Sequence, residues 1–123
     1  MSKILVIGEM FHYDDSDDTE DIAVAVAADT LAIPITHAFV AKTTGADAEA
    51  LTLADGSVIG QLLTIHLTAD GGGDGTLTPT TATGWSTIVF ADVKDQAVLL
   101  WTGSSGGWRI WSLTGKAGPP AHT

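Results

Sequence analysis

The densest group of side chains that could do chemistry in this chain is an acidic run at residues 14–21. Carboxylate oxygens bind Ca²⁺, but an EF-hand loop also needs glycine at its sixth position and glutamate at its twelfth. Counted from Asp14, those positions hold Thr19 and Ala25. Like charges at this density repel one another and stay hydrated, so a solvated linker is the favoured interpretation. The run consists of Asp14, Asp15, Asp17, Asp18, Glu20 and Asp21.

Other candidate motifs each lack an essential part. Residues 70–75 (DGGGDG) lack the Gly-Lys-Ser/Thr ending of a phosphate loop, and their aspartates would repel phosphate; we interpret them as a hairpin turn. Residues 103–106 (GSSG) do not match a nucleophile elbow. The chain has no cysteine, and His12, His37, His66 and His122 show no metal-ligand spacing. We expect no catalytic residue, cofactor or metal, hence a protein that is not an enzyme.

The charge composition of the chain excludes some classes of binding partner. Five lysines and arginines face fifteen aspartates and glutamates, giving a net charge of −10 over 123 residues. Nucleic-acid binding needs clustered basic side chains, and here they are scattered, so we expect neither nucleic acid nor an anionic membrane as a partner. Residues 1–10 are too short and too soon acidic for a signal peptide.

Short β-type segments separated by glycine-rich turns fill residues 50–115. Their spacing is typical of an all-β sandwich or barrel. The clearest strand is 61–68, where Leu63, Ile65 and Leu67 share one face. Residues 22–28 (IAVAVAA) fit a strand or a short helix, and Pro34 indicates an edge or a bulge. We predict an all-β fold, a small antiparallel β-sandwich or barrel resembling a jelly roll, with an extended N-terminal arm.

The chain divides into three parts. Residues 1–20 are an arm, in which an apolar strand at 3–8 (KILVIG) precedes the acidic linker. Residues 21–115 form the β domain. Residues 116–123 are a C-terminal tail, because the prolines at 119 and 120 cannot continue a ladder. The arm is predicted to contact a partner through Ile4, Leu5, Val6, Ile7 and Phe11.

Two predicted strands, 96–101 (QAVLLW) and 108–113 (WRIWSL), are apolar on both faces. A strand in a small antiparallel sandwich normally has one polar face, so these are either central core strands or subunit contacts. Tryptophan is favoured at interface cores. A sugar-binding surface lined by tryptophans is a less favoured alternative. The predicted interface between subunits comprises Val98, Leu100, Trp101, Trp108 and Trp111.

From residue 43 to residue 110 the order of turns and strands resembles a recurring β module of tailed-phage virion proteins. The resemblance is carried by LTLADG, GQLLTIHLTADGG and GTLTPTTATGWSTIVF, and the chain departs from the pattern at 93–96. It implies a homotrimeric capsid decoration (cement) protein, made in the host cytoplasm, that binds the major capsid protein. The alternative is a fibre or spike module that binds a receptor or glycan. The negative charge favours the exterior of the capsid.

Overall fold

The computed structural model of the protein describes residues 22–123, which form an all-β sandwich without helices. The predicted sandwich is confirmed, and its two sheets do not close into a barrel. The predicted arm, including Ile4, Leu5, Val6, Ile7 and Phe11, lies outside the described residues. The ten strands are β1 (Ala23–Val26), β2 (Ala32–Ile33), β3 (Phe39–Thr44), β4 (Glu49–Leu53), β5 (Leu62–Asp70), β6 (Gly75–Pro79), β7 (Ile88–Phe90), β8 (Gln96–Trp101), β9 (Trp108–Thr114) and β10 (Ala121–His122).

Both sheets are mixed: each contains parallel as well as antiparallel pairs, where the sequence predicted an antiparallel sandwich. The front sheet has the order β1-β3-β5-β8-β9, and the back sheet has the order β10-β7-β6-β4-β2. From β1 to β6 the chain alternates between the sheets, and each return brings it back in the same direction. Neighbours among β1, β3 and β5, and among β2, β4 and β6, are therefore parallel. Residues 71–74 accordingly cross from one sheet to the other instead of closing the predicted hairpin.

Alternation of apolar residues places the core as predicted. Leu63, Ile65 and Leu67 of β5 are fully buried, and β3 and β8 alternate buried and half-buried positions along their whole length. The segment 22–28 contains strand β1, which settles the choice between strand and helix. Pro34 directly follows β2, the edge strand of the back sheet, as expected for a residue that cannot donate to a ladder.

Three of the four tryptophans belong to this core. Trp101 and Trp108 stack with ring centroids 5.3 Å apart at 59°. The indole N–H of Trp108 donates to the carbonyl of Ala54 at 2.9 Å, and that of Trp85 donates to the carbonyl of Trp108 at 2.9 Å. The prediction that Trp101 and Trp108 form a subunit interface is therefore wrong, because both side chains fill the space between the sheets.

A bulge in β9 changes which of its side chains face outward. Val98 pairs with Ser112 while Leu99 pairs with Ile110, so Trp111 is an extra residue in the ladder. One extra residue shifts the inside–outside alternation of everything after it. Leu113 consequently packs against the core, whereas simple alternation along the sequence placed it on the same face as Trp111.

The last residues are an ordered part of the sandwich, and the predicted tail at 116–123 is wrong. Strand β10 pairs antiparallel with β7, and Pro120 just before it is buried. The Thr123 N–H donates to the carbonyl of Thr87 at 3.0 Å. Gly118, with φ of 115°, reverses the chain after β9, so the prolines precede a strand and do not interrupt one.

The strand directions define two ends of the sandwich. The loops β1–β2, β3–β4, β5–β6, β7–β8 and β9–β10 lie at one end. The loops β2–β3, β4–β5, β6–β7 and β8–β9 lie at the other, where β1 also begins.

Candidate interaction surfaces

The outer face of the front sheet carries a cluster of apolar side chains that the fold leaves uncovered. Trp111 is 64% exposed and Leu62 is 46% exposed, while the other members are half-buried. Ladder register brings the members together, because Phe39 and Val98 both pair with Thr64 on β5, and Leu62 pairs with Leu100. We call this cluster the front-sheet patch; it comprises Phe39, Leu62, Val98, Leu100 and Trp111.

Two of the polar side chains beside the patch are a hydrogen-bonded histidine and an arginine. Nδ1 of His66 lies 3.0 Å from Oε1 of Gln96, and the imidazole lies 5.8 Å from the ring of Phe39. Arg109 is the ladder partner of Leu100. The five strands of the front sheet contain one outward-facing carboxylate, that of Asp70, which is the last residue of β5. A second surface can therefore cover the patch without burying an unpaired negative charge, which would be costly.

The structure brings together three of the five residues predicted to form a subunit interface. Val98, Leu100 and Trp111 lie in the front-sheet patch, whereas Trp101 and Trp108 are core residues. The sequence analysis missed Phe39 and Leu62. Both precede a core residue of the same strand, so strict alternation within β3 and β5 identifies them as outward-facing apolar positions.

A buried ion pair joins the two sheets near the end of β3 and the start of β4. Nζ of Lys42 lies 2.8 Å from Oε1 of Glu49, and the two side chains are 1% and 2% exposed. The ammonium also donates to the carbonyls of Ala27 at 3.0 Å and Thr30 at 2.6 Å. All three N–H groups of the lysine therefore have acceptors, and the pair ties the β1–β2 loop to strands β3 and β4.

The carboxylate of Glu49 is held by backbone donors as well as by the lysine. Its Oε2 accepts from the N–H of Gly45 at 2.7 Å and from the N–H of Asp29 at 3.1 Å. Burial alone would raise the pKa of Glu49, but the hydrogen bonds from Lys42, Gly45 and Asp29 and the lysine charge together lower it below its ordinary value. The ion pair holds the β1–β2 and β3–β4 loops together, so we interpret it as a contact that stabilises the fold.

Within residues 22–123, no group of three or more histidine, cysteine, aspartate or glutamate side chains is placed to hold a metal ion. The same part of the chain contains no helix long and apolar enough to cross a membrane. The chain matches no known protein-family model, and no curated protein matches it in sequence.

Proposed function

We propose that this protein is a structural component of a bacteriophage particle, a capsid decoration protein that binds the outer face of the head as a homotrimer. The observation that carries the proposal is the front-sheet patch, an apolar surface on a protein whose whole chain has a net charge of −10. The resemblance of residues 43–110 to tailed-phage virion modules supplies the class of assembly. In this role the protein strengthens contacts between neighbouring capsomers and performs no catalysis.

Self-association through the front-sheet patch is the first step of the proposed mechanism. Copies with a charge of −10 repel one another, so contact is favoured where carboxylates are missing and apolar area is available. Val98, Leu100 and Trp111 offer both, and burying apolar area contributes about 25 cal/mol per Å². Three front sheets facing a common threefold axis would cover all three patches.

Attachment to the shell is the second step, and the arm is its proposed anchor. The apolar segment 3–8 and Phe11 would pack on the major capsid protein, with the acidic linker spanning the gap. Deleting residues 1–20 is expected to leave a folded domain that binds heads more weakly. Equal binding by the deleted and full-length proteins would remove the arm from the mechanism.

The proposal is tested by mixing purified protein with phage heads that lack it, and by measuring its mass in solution by light scattering. We expect a trimer that sediments with the heads. Val98→Glu should give a folded monomer, whereas Val89→Glu, at a half-buried outward position of the back sheet, should remain trimeric. A wild-type monomer at micromolar concentration refutes the trimer, and failure to bind heads refutes decoration. Binding to host cells or glycans with no binding to heads would favour the fibre alternative.

A further inference from the structure

The exposed carboxylates of residues 22–123 are concentrated at one end of the sandwich. This aspartate end is formed by the loops that follow β1, β3, β5, β7 and β9, and its exposed lysines are Lys94 and Lys116. Because alternate loops of the chain share an end, side chains far apart in sequence are collected there. The exposed aspartates of this end are Asp29, Asp47, Asp70, Asp74 and Asp92.

The opposite end has the reverse character. Its loops contain one carboxylate, Asp55, and three of its aliphatic side chains are among the most exposed of the described residues. Ile22 is 74% exposed, Val58 67% and Ile59 73%. We call this surface the apolar end; it comprises Ile22, Val58 and Ile59.

The loop that presents Val58 and Ile59 is fixed by hydrogen bonds. The side-chain oxygen of Gln61 accepts from the N–H of Ser57 at 2.7 Å, and the N–H of Gln61 donates to the carbonyl of Val58 at 3.0 Å. The neighbouring Gly60 donates to the carbonyl of Trp101 at 2.9 Å. These hydrogen bonds fix the backbone of the loop that carries the two apolar side chains, and a fixed backbone lowers the entropy cost of binding.

The charges next to this end indicate the chemistry of its partner. Asp21 is bonded to Ile22, so the acidic segment that contains seven carboxylates between Glu9 and Asp21 joins the domain at the apolar end. Two copies of the chain meeting here would bring two such segments together and repel. A different protein whose apolar site is bordered by lysine and arginine would complement both features.

We infer that the apolar end is the surface that docks on the shell, against an apolar site with a basic rim, and that the aspartate end faces the solvent. The identity of the partner rests on the proposed function; the choice of end rests on the segregation of charged and apolar loops. In this orientation the chain enters the domain on the docking side, and the exposed aspartates at the far end keep decorated particles from adhering to one another.

The test compares two variants that introduce the same charge at opposite ends. Ile59→Asp alters the apolar end, and Val93→Asp alters an aliphatic side chain that is 38% exposed at the aspartate end. Both are surface changes in loops, and circular dichroism and light scattering are used to test whether each variant keeps the fold and the oligomeric state of the wild type. Binding to heads that lack the protein is then titrated.

We expect Ile59→Asp to weaken binding at least tenfold and Val93→Asp to change it less than twofold. If Ile59→Asp binds heads as tightly as the wild type while Val93→Asp binds more weakly, the inference is overturned, but the proposal of a decoration protein is not. Loss of self-association in Ile59→Asp also overturns it, because the apolar end would then contact another copy. If the wild-type protein does not bind heads, the proposal of a decoration protein is refuted, and so is the inference that the shell is the partner.

Discussion

Replacing Lys42 by methionine should destabilise the domain far more than the loss of an ordinary ion pair. Methionine has a similar length and no charge, so the packing between β3 and the β1–β2 loop is largely retained. What is lost is the ammonium that faces Glu49 at 2.8 Å. The carbonyls of Ala27 and Thr30 lose their donor too, in hydrogen bonds that are only partly buried.

The magnitude follows from the burial of Glu49. Removing one member of a buried ion pair costs about 3–5 kcal/mol, because the remaining charge is uncompensated. Gly45 and Asp29 still donate to Oε2, which places the expected loss toward the lower limit, about 3 kcal/mol. Domains of this size have free energies of unfolding of about 5–15 kcal/mol, so Lys42→Met should fold but unfold at clearly lower urea concentration.

The assay is urea unfolding of four proteins, followed by circular dichroism at pH 7: wild type, Lys42→Met, Glu49→Gln and the double variant. In the double variant neither of the two positions carries a charge, and the glutamine oxygen can still accept from Gly45. We expect the double variant to be more stable than Lys42→Met, with a coupling free energy of about 1–3 kcal/mol between the two positions.

Two results would refute this reasoning. A loss below about 1 kcal/mol in Lys42→Met is the behaviour of a solvent-exposed pair and would mean that water reaches the carboxylate. Additive effects of the two substitutions would mean that lysine and glutamate act independently, contrary to the 2.8 Å contact.

Three more predictions use the same unfolding assay. Because the pKa of Glu49 lies below its ordinary value of 4.5, its stabilisation is complete above that pH and is lost as the pH falls through the folded-state pKa; the stability gap between wild type and Glu49→Gln should narrow from pH 7 to pH 3. Trp108→Phe should cost about 1–3 kcal/mol because it shrinks a fully buried side chain and removes the donor to the part-buried carbonyl of Ala54, while Trp111→Phe should change stability by less than about 0.5 kcal/mol. Gly73→Ala should cost about 1–3 kcal/mol because its β-carbon would collide with the backbone of the β3–β4 loop, whereas Gly45→Ala, whose β-carbon would meet neighbours at 3.4 Å and beyond, should be near neutral.

The sequence was sufficient for inward and outward positions because these depend on a period of two within each strand. Leu63, Ile65 and Leu67 were placed correctly for that reason, and the same rule places Lys42 and Glu49 at inward positions. Alternation does not say which sheet a strand joins. Residues 70–75 therefore looked like a hairpin, although β5 and β6 lie in different sheets. Glycines allow both connections, and only long-range pairing decides between them.

The tryptophans show a second limit of the sequence. Trp101, Trp108 and Trp111 occupy similar two-sided apolar segments, yet two of them fill the core and the third is 64% exposed. Plain alternation puts Trp108 and Trp111 on opposite faces of β9, but it does not say which face is the core; the bulge, which no local composition signals, changes only the side of later residues such as Leu113. The subunit interface predicted from these segments was therefore a mixture of core and surface residues, and only the surface members remain candidates.

The segregation of charge becomes visible only when the topology is known. Along the sequence, aspartates and aliphatic residues occur in loops with no evident order. Alternation of the chain between sheets sends successive loops to opposite ends, so Asp47 and Asp74 share one end while Val58 and Ile59 lie at the other. A domain that only needed solubility would gain nothing from keeping its loops at one end nearly uncharged. A domain that stands on a surface needs one end to bind and the other to stay hydrated, and this is the distribution that residues 22–123 have.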